Sequence, residues 1–270
     1  MAGLTEFKGK VAVITGASSG IGAELSRQLA AKGMRVALVA RRIDRLESVS
    51  EQIRSEGGEA SVYPCDVSER ESVESCATGI LGSYGRIDLL VNCAGYVRHV
   101  LFKDHDLEDI ERMTRTNYLG TVIWIKQVLP AMRTQGAGWI LNFSSFAGLV
   151  PQPDEAAYTA TKFAIAGLSD AIAYEFEPLG IHVMCVYPVM VRTEMFSPEV
   201  MSRMPAGSEK RFIEAEEFVS ETINGLQRGE RHIVVPRKYK AVVFLRTLFP
   251  RLIGNKVASV RLKALHDVRD

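Results

Sequence analysis

The sequence predicts an α/β fold: a doubly wound parallel sheet with helices on both faces, in a single domain. Three observations predict it. Short apolar runs alternate along the chain with stretches of helical period. The runs are near-continuously apolar rather than alternating, as in strands buried on both faces. The first run ends in a glycine-rich turn that leads directly into a helical stretch. A length of 270 residues suits one such domain. No internal repeat, low-complexity segment or interior linker divides it.

Residues 10–15 (K-V-A-V-I-T) read as the first strand. Ile21, Leu25 and Leu29 recur at helical spacing up to Gly33, giving a helix over 20–32. A second strand follows at 34–40. Leu46, Val49 and Ile53 share one face of a helix over 44–57, and 60–65 is a third strand. Ser68 stands as an N-cap with Glu71 at the capping-box position, for a helix to about residue 84. Strand four spans 87–92. A long helix is expected over 107–133, then strand five at 139–144. The helix that follows carries Tyr158 and stops at Pro178 and Gly180. Strand six covers 181–187. Residues 190–210 show no clean period, 214–227 is helical, and 231–235 is a seventh strand.

In open parallel sheets ligands bind beyond the carboxyl ends of the strands. Chain order therefore puts 15–22, 40–42, Asp66, 92–95 and 144–145 on one rim, within reach of Tyr158. Gly16, Gly20 and Gly22 form G-x-x-x-G-x-G between a strand and a helix. Glycines let the backbone turn sharply and approach a phosphate, and the helix start offers it unpaired N–H groups. Ser18 and Ser19 add hydroxyl donors. This is the pattern of a Rossmann-type nucleotide site. After the second strand, where an acid often binds a ribose 2′-hydroxyl, stand Arg41 and Arg42. Two guanidiniums suit a 2′-phosphate, which favours NADP(H) over NAD(H).

Tyr158 and Lys162 lie four residues apart in an alanine-rich stretch, neighbours on one helix face. A cation beside a phenol favours the phenolate and lowers its pKa. A hydroxyl such as Ser145, delivered from a strand end, can hold a carbonyl oxygen against that phenol. Such a set moves a proton to or from an alcohol or ketone oxygen. The competing reading of the pair is an ordinary surface helix.

Together these motifs resemble the short-chain dehydrogenase/reductase family over roughly residues 7 to 195. T-G-A-S-S-G-I-G (15–22) resembles its cofactor loop, including Ile21. C-D-V (65–67) resembles the stretch where Asp66 and Val67 approach the adenine. N-C-A-G (92–95) resembles its N-N-A-G, with Asn92, Ala94 and Gly95 matching and Cys93 replacing an asparagine. N-Y-L-G (117–120) supplies Asn117, 142–148 supplies Ser145 rather than Ser144, and Y-T-A-T-K supplies Tyr158 and Lys162. The resemblance implies hydride transfer between a nicotinamide and an alcohol/carbonyl pair. It implies that Lys162 also holds the nicotinamide ribose and that Asn117 holds a water in a proton relay. It implies a homodimer or homotetramer. One departure stands out: Pro188 is followed by Val189 where the family usually has glycine. Pro188, Val189 and Thr193 are carried over as cofactor contacts. The rival reading is a catalytically idle NADP(H)-binding or interaction protein on the same fold.

The substrate loop is expected at about 190–210, with Met190, Met195, Phe196, Met201 and Met204 giving an adaptable apolar cover. That composition favours an apolar, lipid- or steroid-like alcohol or ketone. His99 and His105 read as solvated loop histidines. No metal-ligand spacing occurs. The net charge of +1 gives nothing that points to nucleic acid.

Charge is nevertheless uneven. From Arg231 onward ten Lys/Arg face two Asp/Glu, a net of +8, while the preceding residues carry a net of −7. Residues 1–236 therefore read as the dinucleotide-binding and catalytic domain, and 237–270 as a basic, apolar tail. The tail either lies in a membrane interface or packs on the protein or a partner subunit. Four cysteines with no C-x-x-C spacing read as buried thiols in a reducing compartment. With no secretory h-region at the start, the expected location is cytoplasmic, with peripheral membrane contact through the tail.

Overall fold

The computed structural model describes residues 2–196, 200–201, 204 and 207–266, with side chains to Leu262. Seven strands form one parallel sheet: β1 (Val11–Thr15), β2 (Arg35–Ala40), β3 (Glu59–Pro64), β4 (Leu89–Asn92), β5 (Gly138–Phe143), β6 (Ile181–Pro188) and β7 (His232–Val235). Their order across the sheet is β3-β2-β1-β4-β5-β6-β7, and every pairing is parallel. The order reverses between β1 and β4, where Ala12 pairs with Leu89 and Ile14 with Val91. A crevice opens at such a reversal because the connecting helices leave to opposite faces.

The helices are α1 (Gly20–Ala31), α2 (Ile43–Ser55), α3 (Arg70–Tyr84), α4 (Leu107–Thr114), α5 (Gly120–Gln135), α6 (Ala156–Phe176), α7 (Ala215–Gln227), α8 (Lys240–Leu248) and α9 (Pro250–His266). Side chains alternate across the sheet as the period of two requires. Ala12, Ile14, Val36 and Leu38 pack with Leu25, Leu29, Leu46, Ile53 and Phe218, under α1, α2 and α7. Val13, Ala37 and Val39 pack with Val73, Ile80, Trp124, Val128 and Ala173, under α3, α5 and α6. Both faces are thus covered, which is why the strands read as unbroken apolar runs.

Strand bounds fall within two residues of the sequence expectations, and two local expectations are corrected. The helix expected over 107–133 is interrupted by a π turn at Arg115–Leu119. The wider turn adds a residue without breaking the helical spacing of the apolar positions. Ser68 does not cap α3. Its N–H and hydroxyl both donate to Asp66 Oδ1, at 2.9 and 2.7 Å. The Asp66 N–H in turn donates to Ser72 Oγ at 3.1 Å. The N-cap position is Glu69, whose side chain makes no capping bond to α3.

The tail folds back onto the domain. Arg246 donates to the Leu149 carbonyl and lies over the Phe163 ring. Arg261 Nε donates to Asp154 Oδ1 at 2.8 Å, and its Nη2 lies 3.1 Å from His99 Nδ1. No helix among the described residues is long and apolar enough to cross a membrane.

Candidate active site

A continuous cleft runs over the carboxyl ends of β1, β2, β4, β5 and β6. Its floor is the β1–α1 turn. Gly16 has a φ of 71°, and a Cβ there would sit 3.0 Å from the Ala94 backbone. A side chain would therefore be strained and would collide with the neighbouring loop. A Cβ on Gly22 would lie 2.3 Å from the Gly16 carbonyl oxygen, so the turn and the start of α1 fit only without one. Thr15 holds the adjoining loop. Its hydroxyl donates to the Val91 carbonyl at 3.2 Å and accepts from the N–H groups of Cys93 and Ala94 at 3.0 and 3.1 Å.

At one end of the cleft Arg42 donates to the hydroxyls of Ser18 and Ser19, at 3.0 and 2.8 Å. Arg41 lies 3.5 Å from Asp66. Burial pushes the Asp66 carboxyl up, but the Ser68 hydrogen bonds and Arg41 outweigh it and leave it below the usual carboxylate value. Glu194 was missed by sequence reasoning. Its carboxylate pairs with Arg45 at 2.6 Å and lies 3.8 Å from Arg42.

At the other end stand Ser145, Tyr158 and Lys162. Ser145 follows β5 in extended backbone; its Oγ accepts from the Ala147 N–H at 3.1 Å and lies close enough to the Tyr158 phenol to lower its pKa. Ser144 faces away, its hydroxyl donating to the Lys162 carbonyl at 2.8 Å. Tyr158 and Lys162 project from the first turns of α6, with Lys162 Nζ 5.4 Å from the phenol ring centre. That ammonium donates to the Phe143 carbonyl at 2.8 Å. Burial lowers the Lys162 pKa to about 8. The expectation that the Tyr158 pKa lies below its ordinary value is corrected. Burial raises the phenol well above its ordinary value, and the Ser145 hydrogen bond offsets this only in part. Removing a phenolate from water outweighs the one hydrogen bond that favours it.

Asn117 and Asn92 lie behind the cleft wall rather than on it. Asn117, in the π turn, is fully buried. Its Oδ1 accepts from the Tyr96 N–H at 3.0 Å, and its Nδ2 donates to the Tyr96 carbonyl at 2.9 Å and to Thr161 Oγ1 at 3.3 Å. It thus ties the loop after β4 to α6. Asn92 Nδ2 donates to Asn142 Oδ1 at 2.9 Å beneath the loop. The remaining residues read as cofactor contacts all line the cleft: Gly16, Ser18, Ser19, Gly20, Ile21, Gly22, Val67, Ala94, Gly95, Pro188, Val189 and Thr193.

Met195 and Phe196 close one side, and Phe196 meets Phe212 edge-on with ring centres 4.8 Å apart. Of the substrate loop, residues 197–199, 202–203 and 205–206 lie outside the described residues. The two loop histidines are not solvated. His99 is enclosed by Asp154, Glu155 and Arg261, and His105 bonds Asp109 at 2.8 Å. Their side chains are 7% and 2% exposed. Cys65, Cys76 and Cys185 are buried free thiols.

A family model described as short chain dehydrogenase matches residues 10–203. A fatty acyl-CoA reductase of Acinetobacter baylyi is 37% identical over 193 residues, which is 71% of this chain and 65% of that protein. The chain spans about three fifths of the length of the first curated relatives it matches. Among solved structures, a metagenomic short-chain oxidoreductase in complex with NADP is 32% identical, with a TM-score of 0.71 over 83% of this chain and 92% of that one. A short chain dehydrogenase/reductase from Burkholderia phymatum in complex with NAD is 25% identical, with a TM-score of 0.81 over 92% of this chain and 96% of that one. The glycine turn, the Ser145–Tyr158–Lys162 group and these matches together identify the chain as a member of the short-chain dehydrogenase/reductase family.

Proposed function

We propose that the chain is an NADP(H)-dependent oxidoreductase acting on an alcohol/carbonyl pair of an apolar, lipid- or steroid-like substrate. One observation carries the reading: the Tyr158 phenol, the Ser145 hydroxyl and the Lys162 ammonium share one cleft with a glycine turn that no Cβ could replace. The turn fits a dinucleotide. Gly16, Gly20 and Gly22 leave room for the pyrophosphate, and the start of α1 presents its N–H groups. Arg42, Ser18, Ser19 and Arg41 would hold a 2′-phosphate, and Asp66 and Val67 the adenine side. Ala94, Gly95, Lys162, Pro188, Val189 and Thr193 would hold the nicotinamide half. A bound nicotinamide supplies or accepts the hydride at the substrate carbon.

The chain's own residues handle the proton. Burial keeps the Tyr158 phenol protonated at neutral pH, so it donates to the substrate oxygen in the reductive direction. Ser145 bonds that oxygen and aligns it with the phenol. Lys162, with a pKa of about 8, is mostly cationic at neutral pH and stabilises the phenolate as the proton leaves. Asn117 positions α6 against the Tyr96 loop through its bonds to Tyr96 and Thr161. Met195 and Phe196 exclude water from one side and favour apolar substrates. A second cofactor reading, NAD(H), draws support from Glu194, an acid 3.8 Å from Arg42 that suits a free ribose hydroxyl.

The test is NADPH and NADH oxidation across long-chain ketones, fatty-acyl thioesters, ketosteroids and small ketones, with Tyr158→Phe as control. Turnover on an apolar carbonyl, lost in Tyr158→Phe while cofactor binding persists, is the expected result. Undiminished turnover in Tyr158→Phe would remove the proton-transfer role.

A further inference from the structure

Helices α8 and α9 carry apolar side chains toward solvent as well as toward the domain: Val242, Val243, Ile253 and Val257 are half-buried, while a second apolar set is exposed. A helix resting on a domain in water normally turns its apolar stripe inward and its charges outward. Here the inward side also carries two arginines, and a large apolar set is left outside. Arg246 is held by the Leu149 carbonyl, and Arg261 by Asp154 and Glu155. The outward face carries Phe244, Leu245, Leu248, Phe249 and Leu252, with Phe244 64% and Leu252 66% exposed. Leu245 and Leu248, three residues apart, share one stripe of α8, and Leu252 follows in α9 beyond the helix break at Phe249. The anchored arginines fix which way the stripe points. A contiguous exposed apolar patch of this kind marks an interaction surface.

The charge around the stripe says what it meets. From Arg237 to His266 the sequence contains no Asp or Glu. Lys238, Arg251 and Lys256 are exposed around the stripe, and Arg237 and Lys240 lie at its root, bonded to Glu230. We propose that this face seats on an anionic lipid surface, its five apolar side chains in the interface and the cations against headgroups. The net charge of −7 before Arg231 turns the rest of the molecule away from such a surface. A second copy is disfavoured, because a two-fold contact through this face would bring two acid-free, basic tails together. The seated face borders the cleft: Tyr239, just before α8, packs edge-on against Phe146, next to Ser145, at 5.5 Å. The proposal is independent of which substrate or cofactor the cleft takes.

The test is sedimentation of the full chain with vesicles of phosphatidylcholine alone or with one third phosphatidylserine, at low and high salt. The protein should pellet with the anionic vesicles, less so at high salt, and barely with neutral ones. A Phe244→Ser, Leu248→Ser, Leu252→Ser variant should bind at least about tenfold more weakly at both salt concentrations. A Lys238→Glu, Arg251→Glu, Lys256→Glu variant should bind at least about tenfold more weakly at low salt. Both variants should keep the parent's thermal midpoint, since they alter exposed positions only. Protein that stays in the supernatant with anionic vesicles at low salt overturns the proposal. So does equal pelleting of the triple-serine variant. Light scattering that shows an oligomer dissociated by the triple-serine change would make the face a subunit contact and overturn it as well.

Discussion

Replacing Arg261 by Met tests the clamp between the tail and the segment that leads into α6. Met keeps much of the apolar stem and removes the charge and its donors. Arg261 holds Asp154 through two bonds, at 2.8 and 3.2 Å, and the two residues are 9% and 4% exposed. Removing one partner of a buried pair leaves an uncompensated charge and costs about 3–5 kcal/mol. His99 remains beside the carboxylates and compensates in part, so the expected loss is at the low end, ~3 kcal/mol. For a chain of this size that lowers Tm by roughly 6–12 °C. Denaturant unfolding at pH 6 should be run on Arg261→Met, Asp154→Asn and the double variant. Asp154 has a φ of 60°, which Asn tolerates. The double variant should cost less than the two singles added together, by about 1–3 kcal/mol. The choice of pH matters. Burial lowers the His99 pKa, but hydrogen bonds to Asp154 and Glu155 outweigh it and raise the value from 6.5 to about 9. A raised value means stabilisation that is complete below 6.5 and fades as pH rises through 9. Stability should thus fall across that window by at most about 3 kcal/mol, and His99→Gln should flatten the slope. Burial raises the Asp154 carboxyl, yet His99 and Arg261 leave it below its usual 3.8, so its contribution holds above that value and is lost only in acid. At pH 6 both contributions are in force. An Arg261→Met loss under about 1 kcal/mol there, or simple additivity in the cycle, would refute the clamp as a buried ion pair.

The other predictions are more local. Lys162→Met should lower both turnover and cofactor affinity; unchanged cofactor binding by fluorescence titration would show that the ammonium does not reach the cofactor. Arg42→Ala should weaken NADPH roughly ten- to a hundred-fold, the loss of a charge-assisted contact, and leave NADH nearly unchanged. Equal losses for both cofactors would mean that Arg42 only braces Ser18 and Ser19. The family resemblance implies a homodimer or homotetramer, so light scattering at micromolar concentration should give at least twice the chain mass of 29.8 kDa.

The sheet was legible because its information is local. Each strand is an apolar run, and burial on both faces leaves no other composition open to it. The glycine turn and the spacing of Tyr158 and Lys162 were legible for the same reason: neighbours in sequence are neighbours in space. What escaped sequence reading depends on distant pairs or on burial. Glu194 meets Arg45 across 149 positions, and Arg261 meets His99 across 162. Neither pair leaves a periodic trace. The π turn escaped because one added residue leaves helical spacing intact on both sides; a lone Asn at 117 was the only hint. The direction of the Tyr158 shift escaped because it turns on desolvation, and the residue's neighbours in sequence do not report how much water reaches the phenol. The solvated reading of His99 failed on the same point.

Thr15 has a consequence for how the cleft floor keeps its shape. The paired ladder between β1 and β4 stops at Ile14 and Val91. Just past it, where the two strands part, the Thr15 hydroxyl meets the Val91 carbonyl and two N–H groups of the loop that follows β4. A single oxygen atom therefore adds a last rung to the sheet after the backbone can no longer supply one. Serine would keep that rung and valine, of nearly the same shape, would remove it. Threonine and valine differ at that one position alone, oxygen against methyl, so a change in the geometry of the 92–95 loop in Thr15→Val that Thr15→Ser does not share would be traceable to the hydroxyl.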